Sequence, residues 1–139
     1  MAQFLMSRVV HFLVDIRSSM GYFEKNELAE ALQVVSSVIN SCEKIQPRFA
    51  VGTSQHTLLK NRIKALHISK SLISNESIDY YAKEELIEAL RPVSSIIAKS
   101  EKALLKSAGG TSNHTRLQRI IKAMCISKSL ITEEINNRD

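Results

Sequence analysis

Aromatic residues are scarce in this chain of 139 residues, which contains four phenylalanines, three tyrosines and no tryptophan. Its core must therefore be built from Leu, Ile, Val, Ala and Met, which suits interlocking helices. Proline and glycine are also rare, with two and four residues. No stretch alternates apolar and polar residues in the pattern of a strand. These absences predict an all-α fold, and the length fits a single domain spanning 1–139.

Metal and membrane signatures are missing as well. The two cysteines, Cys42 and Cys125, have no metal-type spacing and fall in apolar helical stretches, where a free thiol behaves as a small hydrophobe. None of the four histidines follows an acidic residue by three positions, the spacing of metal sites in helical bundles. No apolar run is long enough to span a bilayer. We therefore expect a cytoplasmic protein with no metal and no cofactor.

What the chain does contain is a repeat. Residues 52–73 and 110–131 are identical at fifteen of twenty-two positions without a gap, and the similarity extends upstream to 22–44 and 80–102 at the same offset of 58. The pattern predicts an internal tandem duplication of a two-helix unit, with unit 1 at about 22–79 and unit 2 at about 80–139.

Each unit reads as two amphipathic helices. Apolar residues of the first helix, about 23–45, recur every three or four positions at Leu28, Leu32, Val35, Ile39 and Cys42. The second helix, about 54–74, shows the same periodicity. An apolar segment at 3–18 predicts a further N-terminal helix, which makes a five-helix bundle. In unit 2, Pro92 either kinks the first helix or divides it, and we favour the kink.

The repeated phrase Gly-Thr-Ser-x-His-Thr predicts a helix start, because Gly allows the turn and Thr or Ser caps the first backbone N–H groups. Its first turn holds no carboxylate in either copy. A helix N-terminus of this kind is also a candidate anion site. The residues concerned are Thr53, Ser54, His56, Thr111, Ser112 and His114.

The net charge is +5, and the second helices carry basic residues but no acidic ones. These residues predict a basic surface at Lys60, Lys64, Arg116, Arg119 and Lys122. Alternatively, the basic residues of the second helices could form ion pairs with acidic residues of the first helices. Those acidic residues are Glu27, Glu30, Glu85 and Glu88.

Arg62 and His67 are separated by four residues on a late helix of a small all-α domain. This pattern resembles the signature of the HEPN ribonucleases, and the resemblance would imply RNA cleavage across a dimer. It covers only these two residues, and the other copy has Ile120 and Cys125 at the matching places.

Taken together, the sequence favours a non-enzymatic interaction or regulatory module that presents its basic second helices to a protein partner or to a second copy in a homodimer. Nucleic-acid binding by the same surface is the alternative, and a HEPN-like ribonuclease is the third hypothesis. An interaction module should expose an apolar patch. Ile68 and Ile126 lie opposite the main stripe of their helices and are candidates for it, although they could equally face a neighbouring helix.

Overall fold

The computed structural model describes residues 23–138, which form four α-helices and no strand. They are α1 (Lys25–Ile45), α2 (Ser54–Ile73), α3 (Lys83–Leu105) and α4 (Ser112–Asn137), with a 3-10 turn at Gln46–Arg48. The all-α prediction is confirmed for this part of the chain. The predicted helix at 3–18 lies outside the described residues. None of the four helices has the length and apolar character needed to cross a bilayer.

Glutamates in the first turn mark the starts of α1 and α3. Glu27 accepts a hydrogen bond from the backbone N–H of Glu24 at 3.3 Å, and Glu85 accepts one from Ala82 at 2.9 Å. These carboxylates accept hydrogen bonds from N–H groups that have no backbone acceptor within the helix. Their negative charge also lies favourably at the positive end of the helix dipole.

Pro92 lies inside α3 without dividing it, because the helix continues from Lys83 to Leu105. The alternative of two separate helices is therefore wrong. The proline removes one backbone donor from the helix. The helix is packed into the core on both sides of the proline, since Leu86, Ala89 and Val93 are buried.

The second helices form the centre of the bundle. α2 and α4 pack against each other, and each also contacts both α1 and α3, whereas α1 and α3 do not touch. A helix with three neighbours must be apolar over most of its circumference. Ile68 and Ile126 are accordingly 0% and 1% exposed. Of the two alternatives for these residues, the exposed patch is wrong, and packing against a neighbouring helix is confirmed.

Hydroxyl groups are accommodated in this central layer by local bonds. Ser69 and Ser127 follow the two isoleucines and are fully buried. Each donates its hydroxyl proton to the backbone carbonyl four residues earlier, that of Ala65 or Ala123, at 2.9 Å. The buried oxygen is thereby satisfied, so a small polar residue can stand where two helices approach closely.

Arg138, at the C-terminal end of α4, holds the connection between α2 and α3. Its guanidinium donates to the carbonyl of Ile78 at 2.8 Å and to the carbonyl of Tyr81, and its Nε contacts Glu134 at 3.3 Å. Ile78 is buried, so this connection belongs to the core. The planar guanidinium of Arg138 therefore links two carbonyl groups of the α2–α3 connection to the end of α4.

Candidate functional site

The two Gly-Thr-Ser helix starts are built alike. Gly52 and Gly110 have φ values of +94° and +84°, which suit glycine. Thr53 Oγ1 then accepts from the N–H of His56 at 3.3 Å and donates to the Ala50 carbonyl at 2.7 Å. Thr111 Oγ1 makes the same two bonds, to His114 and Ala108, at 3.2 and 2.7 Å. Both threonine hydroxyls thus act as helix caps.

Replacing Thr111 by Ala should lower the free energy of unfolding by about 1 kcal/mol, because the substitution leaves the N–H of His114 without its acceptor. Urea denaturation measures the change. Thr115→Ala in the same turn is the matched control, since Thr115 donates only to the Thr111 carbonyl at 3.3 Å. Equal stability of the two variants would contradict the capping role of Thr111.

The other predicted anion-site residues divide between two environments. Ser54 and Ser112 are exposed, and each lines a groove described below. His56 and His114 are partly buried and line neither groove. The Nδ1 atom of His114 is shielded from solvent and has no hydrogen-bond partner among the described residues. The structure therefore places the serine of each start in a groove, whereas neither the capping threonine nor the histidine lines one.

Three of the five predicted surface cations pair with acidic residues of the first helices. Lys64 Nζ lies 2.5 Å from Glu85, Arg119 lies 3.0 Å from Glu30, and Lys122 lies 3.7 Å from Glu27. The hydrogen bond between Lys64 and Glu85 raises the pKa of the lysine and lowers that of the carboxyl group. All three pairs join α2 to α3 or α4 to α1, so each connects the two predicted units.

The remaining two cations are differently placed. Lys60 is exposed on α2. Arg116 is exposed on α4, and its guanidinium donates to the Asn113 side chain of the same helix at 3.0 Å. These are the members of the predicted basic surface that the acidic first helices do not neutralise within the described residues.

An open groove of about 840 Å³ runs between α2 and α3. We call it the α2–α3 groove. Its apolar lining includes Leu58 from α2 and Ile87 and Pro92 from α3, and its charged lining includes Arg62 and Arg91. Leu58 and Ile87 are 49% and 48% exposed. The groove therefore presents accessible apolar surface together with arginine side chains.

A second open groove, of about 760 Å³, runs between α1 and α4. We call it the α1–α4 groove. Its lining contains two arginines, Arg116 and Arg119, and no carboxylate. Several hydroxyl groups from both helices also line it. They belong to Ser37, Ser41, Ser112 and Thr115.

The two grooves occupy corresponding places. Eight of the ten residues lining the α1–α4 groove match residues lining the α2–α3 groove at the offset of 58. The pairs from the second helices are Ser54/Ser112, Thr57/Thr115, Leu58/Arg116, Asn61/Arg119 and Arg62/Ile120. The pairs from the first helices are Gln33/Arg91, Val34/Pro92 and Ser37/Ser95. The two grooves therefore share one set of lining positions, which we call the groove frame, and differ in the side chains at these positions.

The thiols are buried away from both grooves. Cys42 and Cys125 are free, and burial raises the pKa of each, to about 12 for Cys125. A protonated thiol is a poor nucleophile. Arg62 lines the α2–α3 groove, whereas His67 is exposed outside it. No group of three His, Cys, Asp or Glu side chains within 23–138 is arranged to hold a metal ion.

Comparisons of the chain with protein-family models, with curated protein sequences and with solved structures find no match. The interpretation of the two grooves therefore starts from their geometry and charge.

Proposed function

We propose that the chain is a non-enzymatic interaction module that holds segments of partner proteins in the α2–α3 and α1–α4 grooves. The carrying observation is the recurrence of one groove frame at eight corresponding pairs of positions. Each groove is open and lies between two helices, a shape that accepts a third helix or an extended segment. Both linings combine apolar side chains with arginine, a residue enriched at protein interfaces.

The proposal includes an origin for the two grooves, by tandem duplication of a two-helix unit. Its support is the sequence repeat at offset 58, together with two ion pairs whose residues correspond to each other at the same offset. Lys64–Glu85 corresponds to Lys122–Glu27, and each pair joins the second helix of one unit to the first helix of the other. With a helix at 3–18, the full chain would be the predicted five-helix bundle. Duplication followed by divergence would yield two grooves of different preference.

The proposal also places the protein in the cytoplasm. Two free thiols in one small domain are compatible with a reducing compartment. Their raised pKa values argue against thiol chemistry.

The experiment selects peptides from a displayed library of helical peptides on the wild-type chain and measures their affinities by fluorescence anisotropy. The test variants are Leu58→Glu and Arg116→Glu, which alter corresponding positions of the two grooves. Both residues are exposed, so folding should survive. Each selected peptide should lose at least about tenfold in affinity on one variant and little on the other.

Two controls separate this proposal from the alternatives. Labelled RNA and duplex DNA are titrated at two salt concentrations, because phosphate contacts make affinity fall steeply with salt. Sedimentation equilibrium measures self-association. Steep salt dependence with RNA, or cleavage of it, would favour the nucleic-acid hypotheses. Peptide binding that is unchanged on both groove variants, or a selection that yields no peptide, would contradict the proposal.

A further inference from the structure

We infer that the α2–α3 groove takes an acidic amphipathic helix of a partner protein, with a carboxylate bound to Arg62 and apolar side chains packed on Leu58 and Ile87. This inference rests on the proposed function and names the chemistry of one of its two grooves. Four observations on the described residues support it: an unsatisfied arginine, a surplus of positive charge, two accessible apolar side chains, and the different lining of the corresponding groove.

Arg62 is the first observation. Its Nε atom is shielded from solvent, yet it has no hydrogen-bond partner among the described residues, and the guanidinium forms no ion pair there. Buried polar groups are nearly always bonded, and a charged donor left without a partner is costly. Arg62 as a whole is only partly buried and lines the groove, so an acceptor that arrives through the groove could pair with the charge of its guanidinium. A carboxylate matches the guanidinium best because it can accept two parallel hydrogen bonds.

The charge balance of the lining points to an acidic occupant. Lys64 and Glu85 are occupied with each other. This pairing leaves Arg62 and Arg91 against the single carboxylate of Glu88. The surplus of positive charge favours a segment with negative charge and disfavours a basic one.

Leu58 and Ile87 provide the apolar contacts. They approach the groove from α2 and from α3, and about half of each side chain is exposed. Accessible aliphatic groups on both sides of a groove match the apolar stripe of an amphipathic helix, whose anchors recur every three or four residues. A helical peptide with a carboxylate between two such apolar anchors could bind Arg62 and cover Leu58 and Ile87 at the same time.

The α1–α4 groove shows that the frame does not require these residues. The positions that correspond to Leu58, Arg62 and Ile87 hold Arg116, Ile120 and Ala29. An apolar side chain therefore fits where Arg62 stands. The placement of an unsatisfied arginine in only one copy of the frame indicates a role beyond folding.

The test is a double-mutant cycle on the full chain. The probe is the tightest peptide from the helical library that Leu58→Glu weakens, and its acidic residues are changed one at a time to the amide. Arg62→Met and one Glu→Gln or Asp→Asn change in the peptide should each weaken binding by about tenfold or more. Together they should weaken it little further, because both remove the same contact. Lys60→Met, which removes an exposed positive charge of α2 outside both grooves, should leave this affinity unchanged.

Arg62→Met should melt at a temperature no lower than that of the wild type, since methionine has no donor to satisfy. A loss of affinity therefore cannot be ascribed to unfolding. The inference would be overturned if the losses of affinity from Arg62→Met and from the peptide change multiplied in full. It would also be overturned if the peptides selected for this groove carried no carboxylate and bound the Arg62→Met variant as tightly as the wild type. If the inference fails in either way but peptides still lose affinity on Leu58→Glu or Arg116→Glu, the proposed function stands. A library that yields no ligand for either groove contradicts both.

Discussion

Ile68→Ala should lower the free energy of unfolding by about 3 kcal/mol, and Ile126→Ala by a similar amount. Both side chains are fully buried where the central helices meet their neighbours. Truncation removes apolar contacts and leaves a cavity that packed helices fill only in part. A domain of this size is stable by about 5–15 kcal/mol, so the double variant should lose a large share of its stability. Urea denaturation monitored by circular dichroism measures each change.

Ile87→Ala is the matched control, because it removes the same atoms from a helix position that is 48% exposed. It should lower the free energy of unfolding by less than about 1 kcal/mol. A loss at Ile68 no larger than that at Ile87 would show that the far side of α2 faces solvent. The packing of α2 against α4 would then be wrong.

Arg138→Ala should lower the free energy of unfolding by about 2 kcal/mol and loosen the connection between α2 and α3. The substitution removes the donors to the carbonyls of Ile78 and Tyr81 and the contact with Glu134. Hydrogen bonds from a charged donor are worth more than neutral ones, and the partly buried carbonyls would lose their partner. Urea denaturation gives the energy, and limited proteolysis reports on residues 74–82.

Two further variants sharpen this prediction. Arg138→Lys keeps the charge but not the planar fork, so it should recover only part of the lost stability. Lys128→Ala, an exposed basic residue of the same helix, should change stability by less than about 0.5 kcal/mol. Proteolysis of 74–82 at the wild-type rate in Arg138→Ala would contradict the role assigned to this arginine.

The sequence predicted the bounds of α1 and α2 to within two residues because the signals of a helix are local. The expected second helix at 54–74 is observed as Ser54–Ile73, and the Gly-Thr start of α4 recurs at Gly110 and Thr111. The first helix starts two residues later than expected, at Lys25. At the start of this helix, the carboxylate of Glu27 accepts a hydrogen bond from the backbone N–H of Glu24, and no Ser or Thr side chain acts as the cap. Helix starts of both kinds can be recognised within four residues of sequence.

Contacts between distant segments could not be predicted in the same way. A helical wheel assigns one buried face, so Ile68 and Ile126 were candidates for an exposed patch. It does not show that α2 and α4 are each surrounded by three helices. The ion pairs were anticipated as pairing between basic and acidic helices. Which unit supplies each partner depends on the packing, as with Lys64 and Glu85.

The grooves also depend on this packing, yet one sequence feature points to them. The repeated phrase differs between its copies at seven positions. Three of them, Leu58/Arg116, Asn61/Arg119 and Arg62/Ile120, line the grooves in both copies. Positions at which two repeats differ can therefore point to surfaces where the repeats bind different ligands.

The central claim is that protein segments bind in the two grooves, and an amide chemical-shift map tests it most directly. A selected peptide is titrated into ¹⁵N-labelled chain. The account predicts shifts concentrated along α2 and α3 around Leu58, Arg62 and Ile87, or along α1 and α4 around Ser37 and Arg116. Shifts centred elsewhere on the described residues, or no shifts with a peptide that binds, would contradict it.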